Sequence, residues 1–185
     1  MTTVETRNDL LRVLPQGMVI AELGVFIGQF SEIILSTCAP KELHLIDLWS
    51  HPWLRSGDKD GKNARRANLP KVYEELKQKY QDSAVVKLHK MTTRDALLSF
   101  SDGYFDFIYI DADHRCRAVY HDMELSFLKS KRFIGGHDYN LGSGVRAAVD
   151  RFCQEKNLTI SHITNDGCPS FLIEKQMIKA EPLKS

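Results

Sequence analysis

The sequence predicts an α/β fold in which helices cover both faces of a mostly parallel sheet. Two observations predict it: short apolar runs with strand character recur along the chain, and the segments between them carry apolar residues at helical spacing. Alternating strands and helices form parallel sheets, because each crossover helix returns the chain to the same end of the sheet. We expect residues 1–185 to form a single domain, since this length suits one sizeable core.

Seven runs have strand character. The first, second, fourth and fifth are apolar nearly throughout, as expected of strands buried on both faces. The last two are separated only by a short connection around residues 165–169, which leaves no room for a crossover helix and predicts an antiparallel pair. In chain order the runs are MVIAEL (18–23), LHLIDL (43–48), AVVKLH (84–89), FDFIYID (105–111), RFIGGHD (132–138), LTISHI (158–163) and SFLIEK (170–175).

The segments between several of these runs are predicted to be helices. Each carries apolar residues at steps of three or four, which places them on one helix face that can pack on the sheet. The sets are Phe30, Ile33, Ile34 and Cys38; Val72, Leu76 and Tyr80; Val119, Met123 and Phe127; and Val145, Val149 and Cys153.

One segment fits this plan poorly. Residues 49–68, WSHPWLRSGDKDGKNARRAN, are polar and begin where the second strand ends, at the ligand-binding edge of such a sheet. A polar loop of about twenty residues inside a compact domain is usually functional or disordered. We predict a mobile lid here, with a surface insertion as the alternative, and a flexible tail from about residue 176.

Composition and charge exclude several classes of protein. A net charge of +1 gives no basic field for a dedicated nucleic-acid binder. No apolar run reaches the ~18 residues of a membrane span, and the N-terminus lacks the pattern of a signal peptide. These features predict a cytoplasmic protein with neither a nucleic-acid nor a membrane partner.

The stretch AELGVFIGQF (21–30) places two glycines between the first strand and a helix expected to begin near Gly28 or Gln29. Such a loop permits close approach of a ligand, although a purely structural turn would also explain it. The dinucleotide fingerprint is GxGxxG, whereas this loop is GxxxG with Val25 at the second glycine position. A side chain there would obstruct a pyrophosphate, so we predict a nucleoside ligand without phosphates rather than NAD.

Acidic residues follow three of the predicted strands. Asp47 lies 23 residues after Gly24 at the end of the second strand, where a carboxylate can accept both ribose hydroxyls. The alternative is a helix cap or a surface charge. Asp111, Asp113 and His114 lie at the exit of the fourth strand, and His137 and Asp138 lie at the end of the fifth.

Neighbouring strands would bring the groups after the fourth and fifth strands together. Two carboxylates and an imidazole facing one cleft can hold a divalent metal, or can act as a general base with an orienting partner. Alternatively, Asp111 caps the following helix, expected to begin near His114.

The ordered set of motifs resembles the class I S-adenosylmethionine-dependent methyltransferases. More narrowly, it resembles a small bacterial group that shares a GHDY motif and is related to macrocin-type sugar O-methyltransferases. The resemblance runs from about Val19 to Lys175. It rests on ELGVFIG (22–28), DLW (47–49), DFIYIDADH (106–114), GHDY (136–139), GVR (144–146), AVD (148–150) and PSF (169–171).

The resemblance implies a Rossmann-like three-layer sandwich with a seven-stranded, mostly parallel sheet whose last strand is antiparallel. It implies S-adenosyl-L-methionine as cofactor, with Glu22 and Gly24 at its methionine end, Asp47 at the ribose, and Leu48 or Trp49 at the adenine. The full set of implied cofactor-binding residues is Glu22, Gly24, Phe26, Gly28, Asp47, Leu48, Trp49, Thr92 and Asp111.

In metal-dependent relatives of the sugar and catechol type, a carboxylate after the fourth strand and a pair after the fifth bind magnesium. These positions fall here on Asp111, His137 and Asp138. His137 departs from the pattern, because an acidic residue is usual there and imidazole is a poorer magnesium ligand. The resemblance therefore implies Mg²⁺ or another divalent metal as a second candidate cofactor.

The predicted function is methylation of a hydroxyl group on a small molecule, such as a sugar. Either His114 or His137 takes the hydroxyl proton, or a metal at Asp111 and Asp138 lowers the hydroxyl pKa, so these four residues are the catalytic candidates. The alternatives are a nicotinamide-dependent oxidoreductase, a non-catalytic protein that binds S-adenosylmethionine, and a nucleic-acid methyltransferase. Near-neutral charge and DADH after the fourth strand count against the last. A homodimer is left open.

Overall fold

The computed structural model of the chain describes residues 1–50, 54–56, 65–140 and 142–175. The strands are β1 (Thr2–Val4), β2 (Val19–Leu23), β3 (Glu42–Asp47), β4 (Leu54–Ser56), β5 (Arg65–Ala67), β6 (Val86–Lys90), β7 (Phe105–Ile110), β8 (Ser130–Gly136), β9 (Ile160–Thr164) and β10 (Phe171–Glu174). The helices are α1 (Arg7–Arg12), α2 (Gln29–Cys38), α3 (Leu69–Lys79), α4 (Thr93–Leu98), α5 (Cys116–Lys129) and α6 (Gly144–Lys156).

The main sheet has the order β1-β9-β10-β8-β7-β2-β3-β6 across the described residues. β10 runs antiparallel to both of its neighbours, β8 and β9, and every other pair in this sheet is parallel. The predicted α/β fold and the antiparallel last strand are therefore confirmed.

The sheet contains eight strands rather than the seven expected. The additional strand, β1, pairs Thr2–Val4 in parallel with His162–Thr164 at the edge of the sheet. A strand of three residues is too short to show the alternating apolar pattern by which longer strands are recognised. Its pairing with β9 joins the N-terminal segment to the far end of the sequence.

The core has two halves, one on each face of the sheet. Ile20 and Ala21 are consecutive in β2 but belong to different apolar clusters, because successive side chains of a strand point to opposite faces. One cluster contains buried residues of α1, α2 and α3, and the other contains those of α4, α5 and α6. The sheet is thus the middle of three layers, as predicted.

The segment predicted as a lid is described in part. Leu54–Ser56 and Arg65–Ala67 pair as a two-stranded antiparallel sheet, while residues 51–53 and 57–64 lie outside the described residues. Trp49, at the start of this segment, is fully buried. The predicted flexible tail from about residue 176 also lies outside the described residues.

Two histidines pair across β3 and β6. The Nδ1 atom of His44 lies 3.0 Å from the Nε2 atom of His89, and the two rings are stacked. Burial lowers the pKa of both imidazoles, although Glu42 partly opposes this for His44. The folded state therefore favours the neutral rings.

We expect this pair to make stability depend on pH. Because the unfolded chain binds protons below the ordinary histidine pKa of about 6.5 and the folded state resists them, stability is lost as pH falls through that value. The free energy of unfolding in urea should therefore fall less between pH 7.5 and pH 5.5 in His89→Gln than in the wild type. The pH 7.5 measurement supplies the control, since it reports any loss of packing separately, and an equal fall in both proteins would contradict the prediction.

Candidate active site

The loops after β2, β3, β7 and β8 meet at one edge of the sheet. β2 lies between β3 and β7, and the chain order reverses there, which is where open α/β sheets form their ligand crevice. Backbone hydrogen bonds continue past the strand ends: the Asp111 N–H donates to the Leu23 carbonyl at 2.8 Å, and the His137 N–H donates to the Ile110 carbonyl at 3.0 Å. The residues that follow β7 and β8 are consequently held close to the loop after β2.

Both glycines of the loop after β2 are required by the packing of the chain itself. Gly24 has φ +87°, and a Cβ there would lie 2.1 Å from the carbonyl oxygen of Asp111. Gly28 has φ +77°, and a Cβ there would lie 2.9 Å from a methyl carbon of Leu76. A structural turn therefore explains the two glycines without a ligand, so evidence for a ligand must come from the cavity beside the loop.

The role expected of Val25 is corrected. Its side chain is buried in the core with the residues of α1, α2 and α3, so it does not project toward a ligand. Phe26, with φ +53°, lines the cavity instead. The chain stops alternating as a strand after Leu23, and the side taken by Val25 could not be read from the strand pattern.

Asp47 holds the loop after β2 in place. Its Oδ2 accepts hydrogen bonds from the N–H groups of Val25 at 2.9 Å and Phe26 at 3.0 Å, and its Oδ1 accepts one from Trp49 N–H at 2.8 Å. A carboxylate has about four lone-pair positions, so acceptor capacity remains for a ligand hydroxyl. Asp47 thus couples the loop to the cavity wall.

A cavity of about 890 Å³ opens along this edge. That volume lies within the range of small-molecule and cofactor sites. Seven of the predicted cofactor-binding residues line it: Gly24, Phe26, Asp47, Leu48, Trp49, Thr92 and Asp111. Further lining residues, which the sequence did not indicate, come from α4 and α5 and include Thr93, Leu98, Ala118, Asp122 and Leu125.

Trp49 forms part of the rigid wall. Its indole N–H donates to the carbonyl of Phe26 at 3.0 Å, and its ring packs against Tyr73 with centroids 5.2 Å apart. Leu48, by contrast, is about half exposed at the mouth. Between them, the two residues predicted for the adenine offer one fixed and one accessible apolar surface.

Two predicted cofactor-binding residues lie away from the lining. Gly28 begins α2 and packs on Leu76. Glu22 is buried beneath the loop, where it accepts a hydrogen bond from the Ser31 hydroxyl. Burial raises the pKa of Glu22 to about 8, with the hydrogen bond from Ser31 opposing the shift. In this structure Glu22 therefore joins the end of β2 to α2 through Ser31.

Two carboxylates and two imidazoles lie close together beside the cavity, where two carboxylates and one imidazole were predicted. His114 Nδ1 lies 3.0 Å from Asp138 Oδ2, and His114 Nε2 lies 3.5 Å from Asp111 Oδ1. His137 Nδ1 lies 3.4 Å from Asp138 Oδ1 and 3.8 Å from Asp111 Oδ1. Asp111 also lines the cavity, so it belongs both to this cluster and to the cavity wall.

Two members of this acid–histidine cluster (Asp111, His114, His137 and Asp138) have shifted pKa values, His114 and Asp138. The hydrogen bond to Asp111 raises the pKa of His114, and the charge of Asp138 adds to this effect. The hydrogen bond from His137 lowers the pKa of Asp138. The folded state therefore favours the protonated ring of His114 and the ionised carboxylate of Asp138.

The structure adds a candidate to the predicted metal ligands. Within the described part of the chain, the group whose ligand atoms all lie within 4.8 Å of one another is Asp111, His114 and Asp138. His114 thus stands beside the predicted His137 as a candidate ligand. The alternative in which Asp111 caps α5 is wrong, since α5 begins at Cys116 after Arg115, whose N–H donates to Asp113.

Backbone geometry fixes Asp138 in the cluster. Its φ is +58°, in the left-handed region, and its carbonyl accepts hydrogen bonds from Asn140 N–H at 2.7 Å and from the Ser143 hydroxyl at 3.1 Å. Such conformations persist where the surroundings hold them, and they are frequent at functional sites.

Arg7 is a further group at the edge that sequence patterns did not indicate. Its guanidinium lies 4.4 Å from the centre of the Phe30 ring and 4.0 Å from Asp111 Oδ2. Arg7 precedes the first predicted strand, and no pattern in the sequence around it indicates that this segment packs at the edge of the sheet.

Comparisons with known proteins agree with this fold. A family described as a methyltransferase domain matches residues 21–139. No curated protein matches the chain. None of the helices in the described part of the chain has the length and apolar character that a bilayer crossing requires.

Three solved structures illustrate the similarity. Fibrillarin from Aeropyrum pernix, solved with natively bound S-adenosyl-L-methionine, has 13% identity and a TM-score of 0.60, over 90% of this chain and 73% of that one. A Klebsiella pneumoniae protein provisionally described as an O-methyltransferase has 21% identity and a TM-score of 0.60, over 91% and 77%. Spermidine synthase in complex with the transition-state analogue AdoDATO has 13% identity and a TM-score of 0.57. The match covers 91% of this chain but only 58% of the synthase.

Proposed function

The chain belongs to the methyltransferase-domain family, and from that membership we propose that it transfers the methyl group of S-adenosyl-L-methionine to a hydroxyl of a small molecule. Family membership argues against the nicotinamide-dependent oxidoreductase considered from the sequence. The narrower GHDY group related to sugar O-methyltransferases remains part of this proposal.

The cavity supports S-adenosyl-L-methionine as the cofactor. Its walls are largely apolar, as at Trp49 and Leu98, with carboxylates at Asp47 and Asp111. A nucleoside carrying a sulfonium and an amino-acid tail needs apolar contact for the base and acceptors for its hydroxyl and ammonium groups. Structural relatives solved with this cofactor or its product include fibrillarin and M. capricolum TrmK. The residues present therefore fit the group.

The observation that carries the proposed transfer to oxygen is the position of Asp111. This residue lines the cavity and lies within reach of His114 and His137. Methyl transfer from a sulfonium is an in-line displacement, so the acceptor oxygen must sit about 3 Å from the methyl carbon and lose its proton. Asp111 joins the proposed cofactor pocket to groups that can remove that proton.

Two mechanisms use the same cluster. In the first, the Nε2 atom of His114 accepts the proton of the acceptor hydroxyl. Asp138 orients the ring, since its Oδ2 lies 3.0 Å from His114 Nδ1. In the second, Asp111, His114 and Asp138 would hold a divalent metal, which when bound lowers the pKa of the acceptor hydroxyl. A set containing imidazole suits Fe²⁺ or Zn²⁺ better than Mg²⁺.

Binding calorimetry tests the cofactor directly. We expect S-adenosylhomocysteine to bind the purified protein and NADH to give no heat of binding under the same conditions, since the chain belongs to a methyltransferase-domain family. Binding of NADH without a response to S-adenosylhomocysteine would overturn the proposed function.

Acceptor chemistry needs a second measurement. Sugars and other small hydroxyl compounds would be screened with S-adenosylmethionine carrying a labelled methyl group. Transfer of label to oxygen is the expected result. Nucleic acid would be tested as a further acceptor. Binding of S-adenosylmethionine without methyl transfer to any of these acceptors would instead favour the non-catalytic binding protein.

A further inference from the structure

The part of the cavity between α4 and α5 contains a buried carboxyl group. Thr93, Leu98, Ala118, Asp122 and Leu125 line it there. Asp122 is only 6% exposed. The Thr93 hydroxyl donates a hydrogen bond to Asp122 Oδ1 at 2.8 Å, which holds the carboxyl at the cavity wall.

This carboxyl has few partners for a group so deeply buried. Among the described residues, Thr93 is its hydrogen-bond donor and no lysine, arginine or histidine forms an ion pair with it. Burial raises the pKa of Asp122 to about 6. A buried carboxylate with unused acceptor positions is costly, and a ligand N–H group would offset that cost.

Asp122 places a carboxyl group at a helix position where an apolar side chain would be expected. Asp122 lies on α5 beside Val119 and Met123, which pack in the core. Buried acidic residues are rare unless they are paired. The other carboxyl on this part of the helix, Glu124, is exposed enough to be solvated and pairs with His121.

We propose that Asp122, held by Thr93, recognises the exocyclic amine of the adenine base and so determines which nucleoside the cavity accepts. The proposal rests on the proposed function, since it assigns a residue to one part of that cofactor. Adenine presents an amine that donates hydrogen bonds, whereas hypoxanthine presents a carbonyl oxygen at the same position. An ionised carboxylate accepts a hydrogen bond from the adenine amine and repels the carbonyl oxygen of hypoxanthine.

The test compares S-adenosylhomocysteine with S-inosylhomocysteine in binding calorimetry at pH 7.5. The wild type should bind the adenosyl compound about 10- to 100-fold more tightly, the range expected for a hydrogen bond to a charged group. In Asp122→Asn the Thr93 hydroxyl keeps the amide oxygen and leaves the NH₂ group facing the base. The preference should then shrink to within about 3-fold or reverse.

Glu124→Gln is the matched control, because it removes a carboxyl from the same helix outside the cavity and should keep the wild-type preference. Equal binding of both nucleosides by the wild type would overturn the assignment without any variant, as would an unchanged preference in folded Asp122→Asn. Failure of the wild type to bind S-adenosylhomocysteine at all would instead count against the proposed cofactor.

Discussion

Replacing Asp138 by asparagine is expected to lower kcat by about 10²- to 10⁴-fold, the usual contribution of a positioned acid–base pair. Asp138 Oδ2 lies 3.0 Å from His114 Nδ1, and its charge helps to raise the pKa of that ring. An amide at this position can turn its NH₂ group toward the imidazole and favours the wrong tautomer. It also removes one anionic ligand from the candidate metal site.

Affinity for S-adenosylhomocysteine should stay within about 3-fold of the wild type in this variant, because Asp138 lies outside the cavity lining. The backbone should tolerate the change, since asparagine readily adopts the positive φ found here. Asp102→Asn is a suitable control, because Asp102 is exposed and pairs only with Lys129 among its described neighbours. Unchanged kcat in Asp138→Asn would contradict both mechanisms that use the cluster.

A chelator distinguishes the two mechanisms in the wild type. If a metal is held by Asp111, His114 and Asp138, chelation should abolish turnover, and added Fe²⁺ or Zn²⁺ should restore it. If His114 acts as the base, turnover should persist in chelator and be lost in His114→Ala. The Asp138→Asn variant is impaired in either case.

The main strands were predictable because each is an apolar run interrupted by polar or turn-forming residues. Burial on both faces imposes that pattern, and the short link before Phe171 leaves an antiparallel strand as the available solution. β1 was not predictable, because Thr2–Val4 becomes a strand only through pairing with residues some 160 positions later. Long-range pairing of this kind leaves no local trace.

The candidate site divides in the same way. Convergence of Asp111 with Asp138 followed from the adjacency of parallel strands, which places successive loops at one edge. His114 lies closer to the Asp138 carboxylate than His137 does, at 3.0 Å against 3.4 Å. This difference depends on loop torsions, such as φ +58° at Asp138, which the sequence pattern does not indicate. The buried position of Val25 was not predictable for the same reason, because no periodic pattern extends into the turn after Leu23.

The second large effect concerns Gly24, whose replacement by alanine should lower the free energy of unfolding by about 3 kcal/mol or more. Two costs combine. A positive φ costs an alanine about 1–2 kcal/mol, and here φ is +87°. The new methyl would also lie 2.1 Å from the Asp111 carbonyl oxygen, within a backbone crossing where neither chain can move freely. Urea unfolding followed by circular dichroism measures the sum.

Gly17→Ala separates the two costs. Gly17 has a similar φ of +72°, but a Cβ there would meet nothing within 4 Å, so only the torsional cost of about 1–2 kcal/mol should appear. The excess in Gly24→Ala over Gly17→Ala is then the cost of parting the loop after β2 from the loop after β7. If the two variants lose equal stability, the loops are not locked together by this contact. A real excess should be accompanied by weaker S-adenosylhomocysteine binding in whatever fraction of Gly24→Ala remains folded, because the same displacement moves Asp111 away from the cavity wall.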